Sequence, residues 1–145
     1  MKRFDFPLER VRRWRSEQLS LEELKLGQIR AEREKLAAER KQIERNLADS
    51  QTQVLSGPFL SAFELETLDS YRLHVRDRLR ALEDRERACD ARMNAQRERV
   101  LQARRGFELL DRLRGKAYRA WCDASEKEQE QLAAELFLAK AIRDR

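Results

Sequence analysis

Apolar side chains recur every seven residues along most of the chain, and a second series runs beside the first at a constant offset of three. In the first third of the chain one series is Leu19, Leu26, Arg33, Arg40, Leu47 and Val54, and the other is Glu22, Ile29, Leu36, Ile43 and Ser50. Beyond residue 60 the first series is Leu65, Arg72, Leu79, Glu86, Met93, Val100, Phe107, Arg114 and Trp121. The second is Leu68, Val75, Leu82, Cys89, Gln96, Ala103, Leu110, Ala117 and Ala124. A heptad sustained over so many turns predicts left-handed coiled-coil packing of long helices. Arg33, Arg40, Arg72, Glu86 and Gln96 interrupt the apolar seam, and polar residues at such positions help to fix register while weakening the core.

Ser56-Gly57-Pro58 is the one clear punctuation mark. Glycine suits a left-handed residue that closes a helix, and proline can open the next helix but not continue the last. Ser61 followed by Glu64 has the spacing of a capping box. The pattern predicts helix 1 over about 7–55, a turn at 56–58 and helix 2 over about 59–142. So short a connection makes the two helices antiparallel. The expected fold is all-α: a single coiled-coil domain, a long antiparallel two-helix hairpin with a C-terminal helical overhang.

Folding about residues 56–58 sets Leu47 against Leu68, Leu36 against Leu79, Leu26 against Cys89 and Leu8 against Phe107. In this register Arg40 and Arg72 lie about one turn apart, an unfavourable pair unless acids such as Glu39 or Glu44 compensate. Helix 1 is exhausted near Leu110, which leaves an overhang of about 35 residues, ~50 Å of helix. That segment still carries Tyr118, Trp121, Leu132, Leu136, Phe137, Leu138 and Ile142. An apolar stripe on an unpartnered helix implies another molecule. Gly106 and Gly115 flank the expected end of support, and each costs a helix about 1 kcal/mol relative to Ala.

Composition agrees with this picture. Charged residues make up 41% of the 145, with only four Gly and two Pro; a compact domain carries about 25% charge and more turn residues. The charges nearly balance, 32 basic against 27 acidic, for a net +5. That excess, spread over long helices, gives a weak field with no concentrated phosphate footprint. No stretch approaches the ~18 apolar residues of a membrane span, and Met1-Lys2-Arg3-Phe4-Asp5-Phe6-Pro7 lacks the apolar run of a secretion signal. Cys89 and Cys122 lie ~50 Å apart on one helix, too far to be bridged within the chain, which fits a reducing cytoplasm.

Chemistry is hard to find. His74 is the single histidine and lies outside both seam series, with no ligand partner at zinc spacing. Gly115-Lys116 lacks the preceding glycine of a phosphate loop. Carboxylates on solvated helix faces have no desolvated pocket to shift their pKa values. The expectation is a protein that is not an enzyme, with no catalytic residue, no metal and no cofactor. The sharpest local feature is Glu9-Arg10-Val11-Arg12-Arg13-Trp14-Arg15. It could grip nucleic acid or an anionic membrane surface, or be an exposed arginine-rich first turn. Trp14 and Trp121 both fall near the open end, where they are either simple packing residues or part of an interface, since tryptophan is a residue that hot spots favour.

Phe4-x-Phe6-Pro7-Leu8-Glu9-Arg10-Val11 followed by charged helix resembles the opening of the FliJ family of flagellar type III export proteins. Leu68-x-x-Tyr71 after the turn and the late Leu110-x-x-Leu113…Tyr118…Glu128-Gln129 segment extend the resemblance over most of the chain. The resemblance implies a cytoplasmic component of the export apparatus, peripherally associated with the inner membrane and similar to the coiled-coil central stalk of rotary ATPases. It implies three partners: the hexameric export ATPase, the cytoplasmic part of the export-gate membrane protein, and substrate chaperones. Phe4, Phe6, Trp14, Tyr118 and Trp121, with Leu132, Leu136 and Phe137, are then the expected ATPase-binding residues of the open end. Tyr71, Val75, Leu79 and Leu82 are the nearest equivalents of the gate contact, although seam packing against helix 1 accounts for them as well. No nucleic acid and no membrane insertion are expected. The alternative from another class is a nucleic-acid-binding or scaffold coiled coil that dimerises through its overhang.

Overall fold

The computed structural model describes residues 3–144; Met1, Lys2 and Arg145 lie outside the described residues. Two long helices pack against each other as an all-α hairpin: α1, Glu9–Leu55, and α2, Ala62–Arg143, with no strand among the described residues. The chain divides into two compact units, Glu22–Val100 and, separately, Met1–Leu21 with Leu101–Arg145.

The turn between the helices is longer than the sequence suggests. Ser56 still donates its N–H to the Thr52 carbonyl at 3.0 Å, continuing the helical pattern of α1. Gly57 does not adopt a positive φ, so no left-handed residue closes α1. Phe59 and Leu60, expected at the start of α2, precede it. The capping box fixes the true start. The Ser61 N–H donates to Glu64 Oε2 at 2.9 Å, and the Glu64 N–H donates to Ser61 Oγ at 3.2 Å. Together these bonds satisfy two donors that a helix start leaves unpaired, and they hold the Glu64 carboxyl below its usual pKa, the Ser61 N–H being the larger cause.

Every residue added to a hairpin turn slides the pairing by one. With the turn extended to Ser61, the helices meet three positions further along than folding about 56–58 predicts. Cys89 Sγ lies 3.6 Å from the Ile29 carbonyl oxygen, so Ile29 takes the place expected of Leu26. The register is corrected, but the seam is not. Within the Glu22–Val100 unit, Leu36, Ile43, Val75, Leu82 and Cys89 form the buried core, and Ile29, Leu47, Tyr71 and Leu79 pack against it. On the helix 2 side Leu65 and Arg72 are exposed.

The seam charges find one another. Glu86, only 7% exposed, is 3.4 Å from Arg33 Nη1 and 3.5 Å from Arg40 Nη1. Arg33 also binds Asp90 at 2.8 Å, and Arg40 binds Glu44 and Glu83 at 3.2 and 3.3 Å. The expected conflict of Arg40 with Arg72 is therefore absent. Arg40 is enclosed by carboxylates, and Arg72 pairs with Asp69 at 3.3 Å. One layer further, buried Gln96 donates its amide to the Glu22 carbonyl oxygen at 3.0 Å and to the Glu22 carboxylate. That bond is the main cause holding the Glu22 carboxyl below its usual pKa.

Candidate functional site

The best-formed non-repetitive structure lies where the start of the chain meets the later part of α2. Pro7 and Leu8 form a turn whose carbonyl neighbours start α1: the Glu9 N–H donates to the Phe6 carbonyl at 3.0 Å and the Arg12 N–H to the Leu8 carbonyl at 2.9 Å. This turn folds residues 4–6 back onto α2. Phe6 is buried at 8% exposure. The Phe4 ring meets Tyr118 edge-on at 5.1 Å and Trp121 at 5.9 Å, while Tyr118 and Trp121 stack at 5.9 Å. Edge-to-face and offset-stacked rings at these spacings are the favoured aromatic geometries.

Charges surround the aromatic cluster. The Arg114 guanidinium lies 5.8 Å from the Phe4 ring centroid. Glu9 pairs with Arg12 at 3.1 Å, Arg13 at 3.6 Å and Arg114 at 3.4 Å. Arg12 in turn binds Asp111 at 2.9 Å and sits over the Phe107 ring at 5.4 Å, the place that the shorter turn would have given to Leu8. Arg15 packs along Gly106, 3.5 Å from where a Cβ would stand. The arginine-rich string is thus partly committed to carboxylates and rings of its own chain. Trp14 stands apart from the cluster, half exposed, with the Arg15 guanidinium over its ring at 5.1 Å. A hydrogen bond with Cys122, the larger cause, pushes the Tyr118 hydroxyl above its usual pKa.

These contacts correct the expected overhang. Residues beyond Leu110 do not lose support there, because Arg114, Tyr118 and Trp121 are all engaged by the first residues of the chain. The last half-buried position of α2 is Ser125, and every described residue after it is exposed. Leu132, Leu136 and Phe137 fall in this shorter terminal segment at 54%, 71% and 72% exposure, followed by exposed Leu138 and Ile142. Phe4, Tyr118 and Trp121 are therefore brought together and Phe6 is buried two residues on, whereas Trp14, Leu132, Leu136 and Phe137 are not part of the cluster. The sequence hides the Glu9–Arg114 and Arg12–Asp111 pairs, because they become neighbours only in the corrected register.

The other predicted contact has a different environment. Val75 and Leu82 are 3% and 2% exposed, and Tyr71 and Leu79 pack against the same core. Val75 and Leu82 are enclosed in the seam and present no free surface while the helices are paired, whereas Tyr71 and Leu79 are half-buried at its edge. Among the described residues no group of three or more His, Cys, Asp or Glu could hold a metal ion, and His74 is exposed. No helix of the structure is long and apolar enough to cross a membrane. Comparison with protein families, with characterised proteins and with solved structures finds no match to the chain.

Proposed function

We propose that this chain is a non-enzymatic, stalk-like coiled-coil component of the flagellar type III export apparatus, and that it binds the hexameric export ATPase through the end holding both termini. The observation that carries this reading is the exposed apolar helix after Ser125, with Leu132, Leu136, Phe137 and Ile142 exposed and left uncovered by the other described residues. Each large apolar side chain left in water forgoes about 1.5–3 kcal/mol of burial, and a run of them on a helix suits insertion into a partner. The resemblance of Phe4-x-Phe6-Pro7-Leu8-Glu9-Arg10-Val11 to the FliJ opening supplies the identity of that partner. Links to the export gate and to substrate chaperones belong to the same proposal. The gate contact would need residues other than the buried Val75 and Leu82.

The test is co-purification with a hexameric export ATPase, using the full chain and a version ending at Ser125. The truncated chain should fold normally, lose the ATPase and no longer promote its hexamer. Retention of both activities would remove the basis for a stalk-like role.

A further inference from the structure

The turn end of the hairpin is an exposed apolar surface of opposite charge to the rest of the chain. Phe59 and Phe63 are 90% and 77% exposed, the most exposed aromatic side chains described, and Leu55 and Leu60 stand exposed beside them. Phe63 also edges an open groove of about 380 Å³ floored by Val54, Leu68 and Tyr71. From Leu47 to Tyr71 the sequence holds Asp49, Glu64, Glu66 and Asp69 and not one Lys or Arg, although 32 of the 145 residues are basic. The turn end is therefore acidic and apolar in a chain that is otherwise basic. Folding does not require this exposure: Phe59 precedes α2 and contributes nothing to the core.

We infer that the turn end is a docking surface for a basic amphipathic helix of another protein, whose apolar face covers Phe59 and Phe63 and whose Lys or Arg residues face Asp49 and Glu66. Charge decides between occupants. A second copy docked turn to turn would set acid against acid, and an anionic lipid surface would be repelled in the same way. A helix with apolar residues at i, i+3, i+4 and i+7 is the shape that an apolar groove accepts, and basic flanks supply complementarity and salt-dependent association. The inference stands apart from the ATPase reading, since it concerns other residues at the other end of each helix.

The test uses fluorescence anisotropy with the full chain and a labelled 18-residue amphipathic Leu/Lys helix, its Leu/Glu counterpart, and vesicles of zwitterionic phosphatidylcholine. Phe59→Ser with Phe63→Ser removes the apolar anchors, and Asp49→Asn with Glu66→Gln removes charge while leaving the Glu64 cap and the Asp69–Arg72 pair in place. Circular dichroism should show unchanged helicity in both variants, because all four side chains are exposed. The Leu/Lys helix should bind at least tenfold more tightly than the Leu/Glu helix. The Phe variant should weaken it tenfold or more, and the charge variant should weaken it and flatten its salt dependence. Equal binding of the Leu/Lys helix to the Phe variant would overturn the inference by locating the contact elsewhere. So would Phe-dependent binding to the vesicles, or Phe-dependent self-association of the chain without any peptide in sedimentation.

Discussion

Gln96 reaches across the helix pair to donate a hydrogen bond to the main-chain carbonyl of Glu22 at 3.0 Å, and the same amide bonds the Glu22 carboxylate. Because this bond lowers the Glu22 pKa, its stabilisation is fully present above the ordinary carboxyl value of 4.5 and is lost as pH falls through the lower folded value. Gln96→Leu should therefore shrink the drop in thermal midpoint between pH 6 and pH 3. An unchanged acid profile would show that the Glu22 contact contributes nothing to folding.

The register is open to direct measurement. In a Cys122→Ser background, Ile29→Cys should form a disulfide with the native Cys89 readily, since Cys89 Sγ lies beside the Ile29 carbonyl at 3.6 Å. Leu26→Cys, the partner implied by the shorter turn, should link much more slowly. Non-reducing electrophoresis separates the two outcomes, and faster linking at position 26 would restore the three-residue turn.

Ser61→Ala removes the hydroxyl that accepts from the Glu64 N–H. Loss of such a cap costs about 1 kcal/mol, read as a lower midpoint in chemical denaturation. Glu64→Gln should act in the same direction at neutral pH, and its effect should vanish in acid, where the native carboxyl is protonated as well. A pH-independent difference between Glu64→Gln and the native chain would rule out the carboxylate as the source.

Glu86→Leu tests whether the seam charges confer stability or specificity. Arg33 keeps Asp90, and Arg40 keeps Glu44 and Glu83, so neither cation is stranded. Replacing a buried ionic group by a packed apolar one is often neutral or stabilising by about 1–4 kcal/mol. The thermal midpoint should hold or rise, while the 29–89 disulfide should lose its preference over 26–89. A fall in midpoint would mean that Glu86 is a net stabiliser.

Two truncations separate the terminal helix from the support beneath the N-terminus. Ending the chain at Ser125 should leave the unfolding free energy within about 0.5 kcal/mol of the full chain, as changes at solvated positions usually do. Ending it at Leu113 removes Arg114, Tyr118 and Trp121 from under Phe4, and should lower the unfolding free energy measurably. Equal stability of the two would mean that the aromatic cluster does not hold the N-terminus.

The seam was legible in the sequence because heptad spacing is a property of each helix alone. Leu26, Leu36, Ile43, Val75, Leu82 and Cys89 are buried as the spacing predicts. Register was not legible, because it depends on which residue caps α2. Phe59 and Leu60 look like the first apolar positions of a helix, and only the reciprocal Ser61–Glu64 bonds decide against them. From that three-residue difference follow the Glu86 ion pairs with Arg33 and Arg40, the seating of Arg12 over Phe107 and the shorter terminal segment. At the candidate site the aromatic-x-aromatic string was visible, but its return onto Tyr118 and Trp121 required the turn at Pro7 and Leu8.

Gly106 is occupied in the sense that Arg15 lies against it, but Gly27 and Gly115 have nothing within 4 Å of where a Cβ would stand. Alanine would fit at both without displacing an atom and would favour the helix by roughly 0.5–1 kcal/mol at each. What glycine supplies there is compliance: α1 and α2 each carry one point where backbone torsion is restrained least. Under a twisting load, deformation of each helix would concentrate first at its own glycine, ahead of the capped turn and the ion-paired seam.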